Sequence, residues 1–234
     1  MNQVPAKIIR AIAREVFHAK SEFGRKRSAE ALREELHRRT LADTADFIRN
    51  SCEDALFCAN RATHLAFASS HIPAGSILEF GVYRGTTINQ LAGIFPDRQI
   101  YGFDSFLGLP EKWKGFHFSK ENFSCDGLKP KVKSNVVLVQ GWFDKTVPEF
   151  MTTHREPLAL AHIDCDIYSS TVTVLDCIAP ALQPGSVLVF DEFFNYPGFM
   201  RHEYKAFFEF VERYQIAYEF IGFSGQQVSI KILG

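Results

Sequence analysis

The sequence of 234 residues lacks any long apolar run; its hydrophobic stretches are of strand length, far below the roughly 20 residues of a spanning helix. The opening MNQVPAKIIRAIAREVF has no apolar centre followed by small residues of the kind a signal peptidase reads. A cytoplasmic protein is therefore expected. Cysteine is scarce and scattered: Cys52, Cys58, Cys125, Cys165 and Cys177 form no CxxC pair and no Cys/His spacing suited to zinc. Such a set fits reduced thiols acting as small apolar side chains. An excess of either charge is also missing, the formal net charge being −1, so no global field favours nucleic acid.

What is present is the make-up of an ordinary globular chain, 46% apolar and 23% charged, long enough for one α/β domain and a small extra element. Charge is uneven along it. Residues 1–40 hold ten Lys/Arg against five Glu, and Ile8, Ile9, Ile12, Val16 and Phe17 recur at helical spacing. Residues 28–39 continue as a second basic helical stretch. We read 1–50 as an N-terminal helical arm with a solvated basic face, a common place for a homo-oligomer contact, and 51–234 as the main domain. Residues 43–70 read as one or two more helices, with Phe47, Ile48, Leu56, Phe57, Leu65 and Phe67 as their apolar set, broken at His71–Gly75.

From Ser76 the rhythm becomes strand, loop, helix, strand. SILEF (76–80), QIYGF (99–103), VVLVQ (136–140), LALAHI (158–163) and SVLVF (186–190) are short strands without polar alternation, which fits a parallel sheet covered on both faces. Helices are expected at 86–95, within 168–182 and at 205–214; 218–223 and 228–233 form a closing hairpin. The fold expected is a Rossmann-like, doubly wound, mostly parallel sheet of seven strands with a C-terminal antiparallel hairpin. In such sheets ligands sit beyond the carboxyl ends of the strands, so the residues after each strand carry the chemistry.

After the first strand comes Glu79-Phe80-Gly81-Val82-Tyr83-Arg84-Gly85-Thr86-Thr87. Gly81 and Gly85 allow a tight turn into a helix whose first N–H groups, at Thr86 onward, face a ligand. The dinucleotide pattern G-x-G-x-x-G is absent, and Glu79 ahead of the glycines suits an ammonium group better than a pyrophosphate. Asp104, 23 residues beyond Gly81 and followed by Ser105, stands where a carboxylate binds ribose hydroxyls. Gly141-Trp142 after the third strand offers an aromatic face to an adenine, although core packing explains Trp142 equally. Asp164-Cys165-Asp166 ends the fourth strand and Asp191-Glu192 the fifth. Neighbouring strands would bring these acids to one edge, and an all-oxygen set of Asp164, Asp191 and Glu192 suits Mg²⁺, Mn²⁺ or Ca²⁺. His162 reads as a core histidine and His202 as a surface helix-start residue. Phe193, Phe194, Tyr196 and Phe199 form either a lid or packing beneath their loop.

EFGVYRGTT, FDSFLGLPE, QGWFDKTVP, HIDCDIYSST and VFDEFFNYPG together resemble the macrocin and mycinamicin O-methyltransferases, a family that includes sugar methyltransferases of aminocoumarin pathways. The resemblance spans roughly residues 60–215. It implies S-adenosylmethionine as cofactor, a divalent cation, expected to be Mg²⁺, at Asp164, Asp191 and Glu192, and Asp164 as general base. The implied partner is a small-molecule or glycan acceptor with two adjacent oxygens. The second acid of the pair is commonly Asp in that family and is Glu192 here; the C-terminal QQVSIKILG and the basic arm lie outside the resemblance. Two other readings stand beside it: an NAD-dependent oxidoreductase, disfavoured by the glycine pattern, and a catalytically silent S-adenosylmethionine-binding protein, disfavoured by the complete acidic set. A nucleic-acid methyltransferase would carry Asn/Asp-Pro-Pro-Tyr/Phe after the fourth strand, and this chain does not.

Overall fold

The computed structural model describes residues 6–113 and 120–234; within its first helix, side chains are described at Arg14 and Glu15 and from Lys26 onward. The apolar set Ile8, Ile9, Ile12, Val16 and Phe17 therefore lies outside the described side chains. That helix, α1 (Ala6–Ser51), is one element of 46 residues, roughly 70 Å long at about 1.5 Å per residue. It joins stretches that the sequence suggests are separate, and it runs through Gly24, a residue that a helix interior tolerates at modest cost. Leu32, Leu36 and Leu41 are exposed on it, whereas Thr44 is buried and Phe47 and Ile48 pack against the core.

Beyond α1 come β1 (Leu56–Phe57), α2 (Arg61–Ser69), β2 (Ser76–Phe80), α3 (Thr86–Ile94), β3 (Ile100–Asp104) and β4 (Val136–Gln140). There follow α4 (Phe143–Thr153), β5 (Leu158–Ile163), α5 (Tyr168–Ile178), β6 (Val187–Phe190), α6 (Glu203–Tyr214), β7 (Tyr218–Ser224) and β8 (Gln227–Ile232). The sheet has eight strands among the described residues, in the order β1-β7-β8-β6-β5-β2-β3-β4. Only β8 runs antiparallel to its neighbours. The eighth strand corrects the expected seven. Leu56 and Phe57, expected on a helix, pair in parallel with Gly222 and Phe223, and Phe57 stacks on Phe223 at 5.1 Å between centroids. A two-residue strand formed by long-range pairing leaves no periodic signal in the sequence. Helix α4, with Pro148 inside it, is likewise an element that the sequence did not suggest.

Of the strands without polar alternation, every residue of β2, β5 and β6 is buried, whereas β4, at the sheet edge, has no fully buried residue and leaves Val137 exposed, because only one side of it is paired. Register at the carboxyl edge is set by a chain of backbone bonds. Gly141 N–H donates to Asp104 O at 2.9 Å and Gly81 N–H to Phe103 O at 3.0 Å. Asp164 N–H donates to Phe80 O at 2.8 Å and Asp191 N–H to Ile163 O at 3.0 Å. Gly141, Asp104, Gly81, Asp164 and Asp191 thus stand in one row, each the first or last residue of its strand turn.

On the core side of α2, His64 is wholly buried, its Nε2 donating to Ser229 Oγ at 2.9 Å, while Ser229 donates onward to Gly222 O at 3.2 Å. Burial pushes the His64 ring down from 6.5 to about 4. The folded state therefore binds fewer protons than the unfolded chain between those values. The stability this represents is fully present above pH 6.5 and is lost as pH falls toward about 4, on the order of 3 kcal/mol in all. Urea unfolding at pH 7 and near pH 4 should show a smaller acid loss in His64→Gln than in wild type; equal losses would contradict the assignment.

Candidate functional site

The row of strand ends opens on a cavity of about 690 Å³, within the usual range for small-molecule sites. On one side the wall is Gly81, Tyr83, Asp104, Ser105, Gly141 and Trp142; on the other it is Asp164, Asp166, Asp191 and Glu192. Five of the eight expected cofactor residues, Gly81, Asp104, Ser105, Gly141 and Trp142, and the expected acids are therefore brought to a single space.

The turn after β2 is built around Gly81, whose φ is +95°. A Cβ there would lie 1.9 Å from the carbonyl oxygen of Asp164. Asp104 braces the same turn: Oδ2 accepts from Val82 N–H at 2.9 Å and Tyr83 N–H at 2.7 Å, and Oδ1 from Phe106 N–H at 2.7 Å. Ser105 Oγ accepts from Leu107 N–H and donates to Gly108 O. Trp142, on the cavity wall and 36% exposed, is outside the core.

Three of the expected cofactor residues sit behind this wall. Gly85 caps α3 with φ +79°, and Thr86 begins that helix. Glu79 is fully buried beside its register partner His162, with 3.6 Å between Oε2 and Nδ1. Burial drives the two groups in opposite directions, the carboxyl well above its ordinary range and the imidazole down to about 3. The imidazole is therefore neutral near pH 7, and His162 is the core histidine expected of it.

The acidic side is more crowded than the sequence suggests. Asp164, Asp166 and Glu192 each offer an oxygen, and these atoms lie within 4.8 Å of one another. Asp166 was outside the expected trio; it stands at the centre of a γ-turn, with φ +61° and Ile167 N–H donating to Cys165 O at 2.6 Å. Asp191 meets Arg61 instead, with 2.8 Å between its Oδ1 and Nε. The same guanidinium donates from Nη2 to Asp164 Oδ2 at 2.8 Å. Arg61, at the start of α2 after the Asn60 cap, is the one cationic residue on the wall among the described residues. Nothing in its local sequence marks it. Burial, reinforced by neighbouring acids, raises Asp164 and Glu192 above the ordinary carboxyl range and lifts Asp166 to about 7.

Asp166 combines a backbone strain on the order of 1 kcal/mol with like-charge crowding, costs that a purely structural residue would shed. Asp166→Asn keeps the size, tolerates the left-handed backbone and removes the charge. Its melting temperature without added metal is expected to rise by about 2–4 °C, the equivalent of roughly 1 kcal/mol in a chain of this size. Its Mn²⁺ binding is expected to weaken at the same time. A fall in melting temperature would contradict the like-charge argument.

Further along the β6 loop, Phe193, Phe194, Tyr196 and Phe199 are buried, which settles them as packing beneath the loop. Phe193 alone contacts Phe47, Phe190, Tyr204 and Phe207. His202 is 4% exposed and corrects the expected surface position: α6 begins under the acid loop, with Trp113 6.0 Å from the His202 ring. No helix of the described residues is long and apolar enough to cross a membrane.

Residues 78–193 match the family model of a methyltransferase domain. The chain is 30% identical to the mycinamicin III 3''-O-methyltransferase of Micromonospora griseorubida, over 51% of this chain and 55% of that protein. It is 25% identical to the demethyldecarbamoylnovobiocin O-methyltransferase of Streptomyces niveus, over 59% and 61% respectively. It thus spans little more than half the length of the curated relatives it matches. Among solved structures, a calicheamicin methyltransferase superposes with a TM-score of 0.59 at 25% identity, covering 73% of this chain and 76% of that one. The chain is thus similar, in sequence over residues 78–193 to a methyltransferase domain and in sequence and fold to O-methyltransferases acting on mycinamicin, novobiocin and calicheamicin precursors.

Proposed function

We propose that this chain transfers the methyl group of S-adenosylmethionine to a hydroxyl of a sugar or glycosylated small molecule, assisted by a divalent cation, Mg²⁺ by choice of ligand. The observation that carries the reading is the single cavity shared by the Gly81–Asp104 turn and the acids after β5 and β6. The name of another relative, an 8-demethyl-8-(2,3-dimethoxy-alpha-L-rhamnosyl)-tetracenomycin-C 4'-O-methyltransferase of Streptomyces olivaceus, supports the acceptor class.

The residues present fit both groups. Asp104 Oδ1 accepts one backbone bond and keeps capacity for a ribose hydroxyl. Gly81, whose missing Cβ makes room for the Asp164 carbonyl, lines the cavity where a methionine tail would lie, and Trp142 offers a face for adenine. Glu79, Gly85 and Thr86 would shape the turn from behind. A cation would be held by Asp164, Asp166 and Glu192; Glu192 Oε2 is buried and has no hydrogen-bond partner among the described residues. Oxygen-only donors suit a hard ion. Asp191, paired with Arg61, borders that set.

When bound, the sulfonium supplies an electrophilic methyl carbon and the cation lowers the pKa of an acceptor hydroxyl. The chain's own part is to align and to deprotonate. Asp164, made more basic by burial and by Asp191 and Asp166, takes the proton of the acceptor hydroxyl. Arg61 holds that carboxylate by one oxygen, leaving the other for the reaction. The tied strand ends hold the two halves of the cavity in register, which is the source of proximity. Residues 1–50 are read as an arm outside this chemistry, and the scattered, unpaired cysteines suit the cytoplasm.

The test is transfer of labelled methyl from S-adenosylmethionine to glycosides bearing adjacent hydroxyls, with Mg²⁺ or with EDTA. Label on a hydroxyl that EDTA abolishes and Mg²⁺ restores is the expected outcome. Full transfer in EDTA would remove the cation from the mechanism.

A further inference from the structure

Glu203 is the first residue of α6, wholly buried, and belongs to neither strand loop that carries the acids. Its carboxylate nonetheless joins them. Oε1 accepts from Cys165 N–H and Oε2 from Glu192 N–H, both at 3.1 Å. Cys165 lies between Asp164 and Asp166; Glu192 is itself one of the close trio. One side chain therefore pins the backbone on both sides of the cluster.

Placing a carboxylate there is costly. It is buried and close to Asp191 and Asp166, so its own pKa is driven up, and it helps to raise those of Asp164 and Glu192. A fold that needed only to anchor α6 would do so with an apolar contact or a neutral acceptor. Two convergent N–H donors need two acceptor oxygens, however. A carboxylate has both, whereas an amide has one oxygen and turns an NH₂ group toward the other N–H. The position of α6 also favours an anion, since the helix N-terminus carries partial positive charge.

We propose that Glu203 is the positioning residue of the cation site, fixing the separation of Asp164 and Asp166 from Glu192 by tying the loops after β5 and β6. The inference rests on the reading of that trio as a cation site. Outer-sphere partners of this kind hold ligands in place and alter metal affinity without touching the ion.

The experiment is Mn²⁺ titration followed by electron paramagnetic resonance on wild type, Glu203→Gln and Glu203→Asp, with S-adenosylhomocysteine titrated calorimetrically on the same samples. Glu203→Gln should bind Mn²⁺ roughly 10–100-fold more weakly than wild type. Its S-adenosylhomocysteine affinity should stay the same, because the Gly81–Asp104 side is untouched. Glu203→Asp, which keeps both oxygens on a shorter arm, should recover part of the loss. Unchanged Mn²⁺ affinity in Glu203→Gln would overturn the inference, as would a parallel loss of both ligands, which marks a merely structural role. Should Glu203→Gln fail to fold, the same comparison is made on Glu203→Asp, with weakened Mn²⁺ and intact S-adenosylhomocysteine binding as the expected result. If wild type itself binds no Mn²⁺, the cation reading is at fault and the inference falls with it.

Discussion

Asp164→Asn is expected to lower kcat by about 10³-fold while S-adenosylhomocysteine binds as it does to wild type. The backbone of residue 164 is held by the bond from its N–H to Phe80 O, which the substitution leaves in place. The amide is isosteric, and its oxygen still accepts from Arg61 at the position of Oδ2. What disappears is a negative charge and a site for the acceptor's proton. Burial and the adjacent Asp191 and Asp166 make this carboxylate a stronger base than a solvated one, so its loss reaches well beyond a hydrogen bond. The measurement is steady-state transfer with a saturating glycoside, set against calorimetric cofactor binding. Wild-type kcat in the Asn variant would remove Asp164 as the base; a joint loss of turnover and cofactor affinity would mean that the residue serves binding instead.

Gly81→Ala should be worse than any change to a cavity side chain. The residue sits at φ +95°, where a Cβ is strained, and that Cβ would meet the Asp164 carbonyl oxygen at 1.9 Å. The obstacle is backbone on both sides, so no rotamer relieves it. The turn after β2 and the loop after β5 must move apart, which breaks the row that joins the cofactor side to the acidic side. We expect destabilisation of about 3 kcal/mol, read as a fall of roughly 6–12 °C in melting temperature, with S-adenosylhomocysteine binding lost at concentrations that saturate wild type. A variant that melts and binds like wild type would show that the close approach of the two loops is not required. Gly85→Ala is the control: its φ is also positive, but the nearest atom to the new Cβ is a proline side chain at 3.3 Å. It should be milder.

Much of this site could be read in the amino-acid order, for a definite reason. Strands covered on both faces must be apolar throughout, so SILEF, LALAHI and SVLVF announce themselves, and with them the points where polar residues resume. Gly81, Asp104, Asp164 and Asp191 are first or last residues at those points, with Glu192 one step beyond, and parallel pairing brings them into line. What could not be read depends on contacts far apart in the chain. Arg61 reaches Asp164 across 103 residues from a helix start that resembles any other. Glu203 is one of three glutamates in a helix of mixed polarity, and its meaning comes from two N–H groups on separate loops. Asp166 joins the trio through a left-handed γ-turn that composition does not encode. Leu56 and Phe57 look helical until an edge of β7 is offered to them.

The most direct test of the central claim is calorimetric titration of S-adenosylhomocysteine, with and without Mg²⁺, into wild type and an Asp191→Ala/Glu192→Ala variant. Binding by both proteins, with Mg²⁺ binding seen in wild type alone, is the expected result. It would establish a nucleoside site on the Gly81–Asp104 side and a separate cation site on the acidic side. Absence of S-adenosylhomocysteine binding to folded wild type would contradict the methyltransferase function itself.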